Sequence, residues 1–111
     1  MNVVLVMFKD NERREFPLSG EKTVIGRRQD CQLRIPTKDV SRQHCVLIMD
    51  GTSIVAKDLG SSNGTFVNGR RVQQYRLASG DQIQVGSTLM LFTSPAEAQS
   101  RGYRPPKQRN K

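Results

Sequence analysis

Short apolar stretches, separated by glycine, proline and asparagine, follow one another along most of the chain. Brief alternating runs with turn signals every eight to twelve positions are typical of the strands of a β-sandwich or barrel. No window shows the sustained 3.6-residue period of an amphipathic helix. We therefore predict an all-β fold, with Pro17 placing the second strand near a sheet edge. The predicted strands are residues 3–8, 14–18, 23–25, 32–35, 43–49, 53–58, 65–67, 75–77, 82–85 and 88–93.

The stretch 58–70, with the sequence DLGSSNGTFVNGR, carries the strongest turn signals. It contains two Asn-Gly dipeptides, at 63–64 and 68–69, and both residue types tolerate a positive φ at little steric cost. The three residues between the dipeptides leave room for one very short strand. We expect Ser61, Ser62 and Asn63 on an exposed loop that offers hydroxyls, an amide and free backbone N–H groups for recognition. On this stretch alone, the alternative is a double hairpin whose polar side chains simply face water.

Charge divides the chain of 111 residues into two parts. Residues 1–93 contain 13 Lys/Arg and 9 Asp/Glu, a net charge of +4, and their length suits one domain. Residues 94–111 contain 5 Lys/Arg and 1 Asp/Glu, which is another +4 in a short segment with two adjacent prolines. We therefore predict a folded domain at 1–93. The tail at 94–111 is predicted to be a disordered linker or a loose basic arm.

The cellular location is predicted from apolar runs and cysteines. No window approaches the roughly 18 continuous apolar residues of a membrane span. The N-terminal apolar run lacks a basic leader and a small-residue cleavage site, so it is read as a buried strand. Cys31 and Cys45 have neither metal-ligand spacing nor partners, and nothing indicates secretion. They are predicted to be reduced thiols in a cytoplasmic protein.

Three polar clusters interrupt the strand pattern, at 26–28, 41–44 and 61–64. Each lies at a strand end, where a sandwich gathers its loops. Together they offer guanidinium groups, hydroxyls, an amide and glycine-loosened backbone N–H groups, which suits a phosphate. They suit catalysis poorly, because the single histidine, His44, and Ser41 have no evident acidic partner. Metal binding is not supported either, since no completing ligand set accompanies His44.

The order and spacing of these clusters resemble the forkhead-associated (FHA) domain family. The matching motifs are Ile-Gly-Arg at 25–27, Ser-Arg-Gln-His at 41–44, Asp-Leu-Gly-Ser-Ser-Asn-Gly-Thr-Phe-Val-Asn-Gly at 58–69, and a further match at 77–86. The resemblance covers about residues 3–93. It implies an eleven-stranded β-sandwich of two mainly antiparallel sheets, whose loops at one end bind phosphothreonine in peptides. It implies neither catalysis nor a cofactor.

The resemblance also implies roles for individual residues. Arg27 is expected to contact the phosphate, Ser41 to hydrogen-bond it, and Arg42 to add a second basic contact. Ser62 matches a small hydroxyl residue that borders the phosphate. Asn63 is similar to the residue that holds the ligand backbone beside the phosphothreonine. Taken one at a time, each of these residues could instead be a solvated surface group or a turn former.

Other residues of the motifs are expected to support the site. His44 resembles a histidine that braces the loops from behind without touching the ligand. Asp39 places an acid beside the binding loop, and we expect it to disfavour acidic ligand residues at the third position after the phosphothreonine. The glycines and the second asparagine of the motifs are expected to be architectural: Gly26, Gly64 and Asn68.

The sequence therefore predicts a phosphothreonine-dependent protein–protein interaction module. It would be a monomeric domain that reads the phosphorylated partners of an upstream Ser/Thr kinase, with no membrane contact. The alternative is a basic β-domain that binds nucleic acid, indicated by the net charge of +8 and the basic tail. Against this alternative, only 5% of residues are aromatic, which leaves few platforms for base stacking.

Overall fold

Within the described residues, which are 3–9 and 12–94, the computed structural model of the protein contains eleven β-strands. The strands are β1 (Val4–Lys9), β2 (Glu12–Pro17), β3 (Lys22–Gly26), β4 (Leu33–Arg34), β5 (Cys45–Asp50), β6 (Ser53–Asp58), β7 (Thr65–Val67), β8 (Arg70–Val72), β9 (Gln74–Arg76), β10 (Gln82–Val85) and β11 (Thr88–Thr93). Apart from Ser94, the predicted basic tail lies outside the described residues, so the boundary between domain and tail stays a prediction.

The strands form two sheets, with the orders β2-β1-β11-β10-β7-β8 and β4-β3-β5-β6-β9. Every pairing is antiparallel except that of β3 with β4. The predicted all-β sandwich of two mainly antiparallel sheets is confirmed. β2 is an edge strand and ends at Pro17, as the missing N–H of proline favours. The part of the chain that the structure describes contains no helix long and apolar enough to cross a membrane.

The hydrophobic core lies between the two sheets, because alternate residues of each strand point to the same face. Leu5, Ile25, Ile83 and Met90 are fully buried there. Burial of such a side chain stabilises the fold by about 1.5–3 kcal/mol. Cys45 belongs to the same core as a free thiol, and burial, with a smaller effect of the nearby Asp58 carboxylate, raises its pKa to about 12. This cysteine therefore behaves as a small apolar residue.

The structure corrects the predicted strands in two places. Arg70–Val72 forms β8, which was not predicted because two successive arginines show no apolar–polar alternation. β4 contains only Leu33–Arg34, although residues 32–35 were predicted to be extended. The chain leaves the sheet there because Ile35 precedes Pro36, which has no N–H to donate, and the Thr37 N–H bonds back to the Ile35 carbonyl at 2.9 Å. The ends of the other strands differ from prediction by at most two residues.

Candidate functional site

Two of the polar clusters are joined through their backbones. The Arg27 N–H donates to the Ser41 carbonyl at 3.0 Å, and the Arg28 N–H donates to the Arg42 carbonyl at 3.2 Å. This close approach requires a glycine at position 26, because a Cβ there would overlap the backbone oxygen of Arg42. The loop after β3 and the loop before β5 therefore lie side by side at one end of the sandwich, here called the apical end.

The side chains of these loops project donors from the apical end. The Arg27 Nε donates to the Val40 carbonyl at 3.0 Å, so its two terminal nitrogens remain for another acceptor. Arg42 is exposed, and its guanidinium has no partner among the described residues. The Ser41 hydroxyl oxygen accepts the Ser62 N–H at 3.1 Å, which brings the third polar cluster to the first two.

The loop between β6 and β7 is shaped by the carboxylate of Asp58. Its two oxygens accept four donors: the N–H groups of Gly60 and Ser61 at 2.9 and 3.0 Å, and the hydroxyls of Ser61 and Thr65 at 2.6 and 2.7 Å. Burial acts to raise the pKa of Asp58, but the hydrogen bonds from Ser61, Thr65 and Gly60 outweigh it and lower that pKa below 3.8. The carboxylate is therefore held charged beneath the loop.

His44 connects two of the apical loops from inside the protein. Its side chain is 0% exposed. The Nδ1 atom accepts the Ser41 N–H at 3.1 Å, so the Nε2–H donates to the Gly64 carbonyl at 2.8 Å. The imidazole thus fixes the backbone of Ser41 relative to that of Gly64 and lies behind the exposed donors.

Asp39 and Asn63 connect the loops at the outer surface. The Asn63 Nδ2 donates to the Asp39 backbone carbonyl at 3.0 Å. The Asp39 carboxylate accepts the Thr37 hydroxyl at 2.7 Å, and the bonds from Thr37 and Ser87 lower the pKa of Asp39. Asp39 therefore ties the loop before β5 to the turn between β10 and β11. Its expected role in ligand selection stays a prediction.

Gly64 and Asn68 occupy special backbone positions at the two ends of β7. Gly64 has a φ of +92°, and a Cβ there would lie 2.6 Å from the Nε of Arg71. Asn68 has a φ of 52°. Its side chain bonds to residues at the end of the sandwich opposite the apical end: Nδ2 donates to the Asp81 carboxylate at 2.9 Å, and Oδ1 accepts the Gln82 N–H at 2.9 Å. Of the site residues expected from the sequence, Asn68 lies away from the apical end.

The structure brings five of the expected ligand-binding residues to the apical end. We call them the apical cluster: Arg27, Ser41, Arg42, Ser62 and Asn63. The expectation that Ser61 is exposed for recognition is wrong, because the residue is buried and its hydroxyl donates to Asp58. Asp58 was given no role from the sequence, although both residues shape the loop that carries Ser62. An aspartate two residues before a glycine is a signal for a side-chain-capped turn and could have identified them. No group of side chains able to hold a metal ion occurs in residues 3–9 and 12–94.

A β-sandwich that gathers arginine, hydroxyl and amide donors in the loops of one end is a binding domain for an anionic ligand. The model of the FHA domain matches residues 23–86. The chain belongs to the FHA domain family, which favours a protein-interaction role over the nucleic-acid alternative.

Known proteins share both the sequence and the fold. The FHA domain-containing protein FhaA of Mycobacterium tuberculosis is 41% identical over 88 residues, covering 79% of this chain and 17% of FhaA. The glycogen accumulation regulator GarA of Mycolicibacterium smegmatis is 32% identical, covering 83% of this chain and 58% of GarA. The chain thus spans about a sixth and somewhat over half of these curated relatives. A solved structure from a structural and functional analysis of phosphothreonine-dependent FHA domain interactions is 38% identical, with a TM-score of 0.78, covering 84% of this chain and 96% of that chain.

Proposed function

We propose that this chain is a phosphothreonine-dependent protein–protein interaction module. The observation that carries the proposal is the convergence of the apical cluster, which hydrogen bonds hold together across three loops. Residues 36 positions apart in sequence, from Arg27 to Asn63, contribute donors to one surface. Family membership supports the same ligand, because a solved FHA structure of 38% identity comes from an analysis of phosphothreonine-dependent interactions.

The donors suit the chemistry of a phosphate monoester. Phosphate carries about −1.5 to −2 charges at pH 7 and three strong acceptor oxygens. The Ser41 oxygen already accepts the Ser62 N–H, so its own hydrogen is available to donate to a phosphate oxygen. The terminal nitrogens of Arg27 and the guanidinium of Arg42 supply charge-assisted bonds, and Ser62, whose N–H donates to the Ser41 hydroxyl oxygen, adds a further hydroxyl on the neighbouring loop.

The peptide backbone around the phosphothreonine is assigned to Asn63. One N–H of its side chain amide is used in the bond to the Asp39 carbonyl. The second N–H and the amide oxygen remain for an extended ligand, which must satisfy its own backbone groups. Recognition of phosphate and backbone together makes binding depend on phosphorylation rather than on charge alone.

The partner is accordingly a protein that an upstream Ser/Thr kinase has phosphorylated on threonine. We propose that the domain binds it as a monomer in the cytoplasm, without catalysis and without a cofactor. GarA is named as a regulator, and a regulatory role for the present chain is part of this proposal. The predicted basic tail at 94–111 would then be a linker to other parts of a longer protein.

Calorimetry with a phosphothreonine peptide, selected from a degenerate library, tests the proposal. Arg27→Ala and Ser41→Ala should each weaken binding about 10- to 100-fold, since a hydrogen bond to a charged group contributes about 1.5–3 kcal/mol. The control is Arg76→Ala, which removes an exposed arginine on β9 and should leave the affinity unchanged. Equal affinity for the unphosphorylated peptide, or equal losses in the Arg76→Ala control, would contradict the proposal.

A further inference from the structure

Beside the apical cluster lies a pocket of about 350 Å³ with an unusual lining. Four arginines surround it, together with Gln29 and Pro36 and no acidic side chain. We call it the arginine pocket and define it by these four residues: Arg27, Arg28, Arg34 and Arg42. Two loops and the edge strand β4 contribute them, so the concentration of charge arises from folding and not from one basic run in the sequence.

Most of this positive charge has no counter-charge in the protein. Among residues 3–9 and 12–94, one ion pair involves the arginine pocket, between Arg28 Nη2 and Asp30 Oδ2 at 3.0 Å. The larger neighbouring groove at β2, about 870 Å³, contains charges of both signs. Its two glutamates, Glu12 and Glu15, are each paired with an arginine of β2. Like positive charges around one concave surface create a positive local potential that attracts an anion. The arginines repel one another until an anion binds between them.

Two of the four side chains are anchored by their Nε atoms. Arg34 donates through Nε to the Arg27 carbonyl at 3.0 Å, and Arg27 donates through Nε to the Val40 carbonyl at 3.0 Å. Such anchoring fixes the stem of each side chain and leaves the two terminal nitrogens of each guanidinium for a ligand. Because the side chains are already restrained, less conformational entropy is lost when an anion binds.

The arginine pocket overlaps the apical cluster without coinciding with it. Arg27 and Arg42 belong to both, whereas Ser41, Ser62 and Asn63 do not line the pocket. The phosphothreonine site assigned above therefore makes no use of Arg28 or Arg34. These two arginines extend the positive surface to one side of the phosphate.

We propose that the arginine pocket binds a second anionic group of the same ligand, held mainly by Arg28 and Arg34. This inference rests on the proposed function, because the phosphothreonine positions the ligand. The chemistry required is a phosphate or a carboxylate, supplied by a second phosphorylated residue or by Asp or Glu. Residues two apart in an extended peptide are about 7 Å apart and point to the same side, so the second anion lies two positions from the phosphothreonine.

The test uses one phosphothreonine peptide in which phosphoserine, Asp, Glu or Ala is placed in turn at each of the three positions on either side. Calorimetry on the wild-type protein should show about a fivefold to tenfold tighter complex when an anion occupies one of the predicted positions. Phosphoserine should exceed Asp and Glu there, because it has more charge and more acceptor oxygens. If peptides with phosphoserine, Asp and Glu bind equally well, a single negative charge is enough for the arginine pocket, and either a phosphorylated residue or an acidic residue can supply it.

The variant Arg28→Gln/Arg34→Gln should reduce the gain from the second anion to less than about twofold. Its matched control, Arg70→Gln/Arg76→Gln, removes the same charge from exposed positions on β8 and β9 and should keep the gain. Thermal unfolding checks that both variants are folded. Persistence of the gain in the first variant, or its equal loss in the control, overturns the inference. Failure of every phosphothreonine peptide to bind would overturn the proposed function itself, whereas binding without any gain overturns only the second anion site.

Discussion

A single buried side chain, that of His44, holds the two loops that carry the hydroxyl and amide donors of the apical cluster. It satisfies the part-buried backbone N–H of Ser41 and the buried backbone carbonyl of Gly64. A buried unsatisfied group of this kind costs about 1–3 kcal/mol. At the residue scale, the geometry of the exposed site therefore depends on a residue that no ligand reaches.

His44→Ala should lower the free energy of unfolding by about 2–4 kcal/mol, since it leaves two backbone groups unpaired and creates a cavity. Phosphopeptide binding should weaken indirectly, through loss of the fixed distance between Ser41 and Gly64. Urea unfolding and calorimetry measure the two effects. His44→Asn keeps an acceptor near Nδ1, and His44→Gln keeps a donor near Nε2, so the pair separates the two bonds. Unchanged stability combined with lost binding would instead indicate that His44 contacts the ligand.

Residue roles were partly accessible from the sequence. The motif order pointed to His44 and to the five members of the apical cluster, and the structure brings those five together. The four hydrogen bonds to Asp58 were not foreseen, because they depend on the path of the loop between Ser61 and Thr65. Arg34 was likewise not singled out, because an exposed arginine in a strand is ordinary until its neighbours are known.

At the scale of elements, the hairpin of β7 and β8 shows that a turn sequence can determine how two strands pair. Asn68 and Gly69 have φ values of 52° and 85°, the pattern of a two-residue turn in which both residues are left-handed. The register then pairs Val67 with Arg70 and forces the next residues alongside β7. The dipeptide predicted the turn, but the strand β8 follows from the turn geometry and not from its own Arg-Arg-Val pattern.

The loop before β5 carries the prediction on ligand preference. Asp39 lies two residues before Ser41, and its charge should modestly disfavour Asp or Glu at the third ligand position, because solvent screens a carboxylate at the surface. A degenerate phosphothreonine library measured on wild type and on Asp39→Arg should show that the substitution relieves this preference. Thr37→Val is the control, because it removes a bond to the Asp39 carboxylate without changing charge. An unchanged preference in Asp39→Arg would show that this residue only ties the loops together.

At the scale of the whole molecule, Asp58 connects loop geometry to acid stability. Its pKa is lower in the folded chain than the ordinary 3.8, so the unfolded chain takes up the proton first as the pH falls. The stabilisation that the charged Asp58 carboxylate gives the fold is present above about pH 4. It is lost as the pH falls through the lower pKa that Asp58 has in the folded chain. Asp58→Asn should cost about 1.5–3 kcal/mol at neutral pH and flatten the acid dependence.

Urea unfolding between neutral pH and about pH 2.5 measures this acid dependence. Asp50→Asn, which changes an exposed carboxylate at the end of β5, should leave both the free energy of unfolding and its acid dependence nearly as in wild type. An acid dependence of Asp58→Asn as steep as that of wild type would show that other carboxylates are responsible.

The fold class could be predicted from the sequence alone, but the sheet order could not. Alternation tells which residues share a face, yet it does not tell which strand pairs with which. β1 pairs with β11 from the opposite end of the domain, for example through Val4 and Thr93. The arginine pocket has the same origin, because it exists only once β4 lies beside the two loops that flank it.

The hydrogen bonds around Asn63 and Gly64 also bear on how the domain ages. Asn-Gly sequences deamidate when the glycine nitrogen attacks the asparagine side chain, a reaction that makes asparagine thermolabile. Here the Gly64 N–H is held by the Ser61 hydroxyl at 2.9 Å, and the Asn63 amide is held by the Asp39 carbonyl at 3.0 Å, so both reacting groups are restrained. Each opening of the loop would release them, and a new carboxylate would then repel the ligand's phosphate. These two hydrogen bonds should therefore slow the chemical ageing of the binding surface at Asn63.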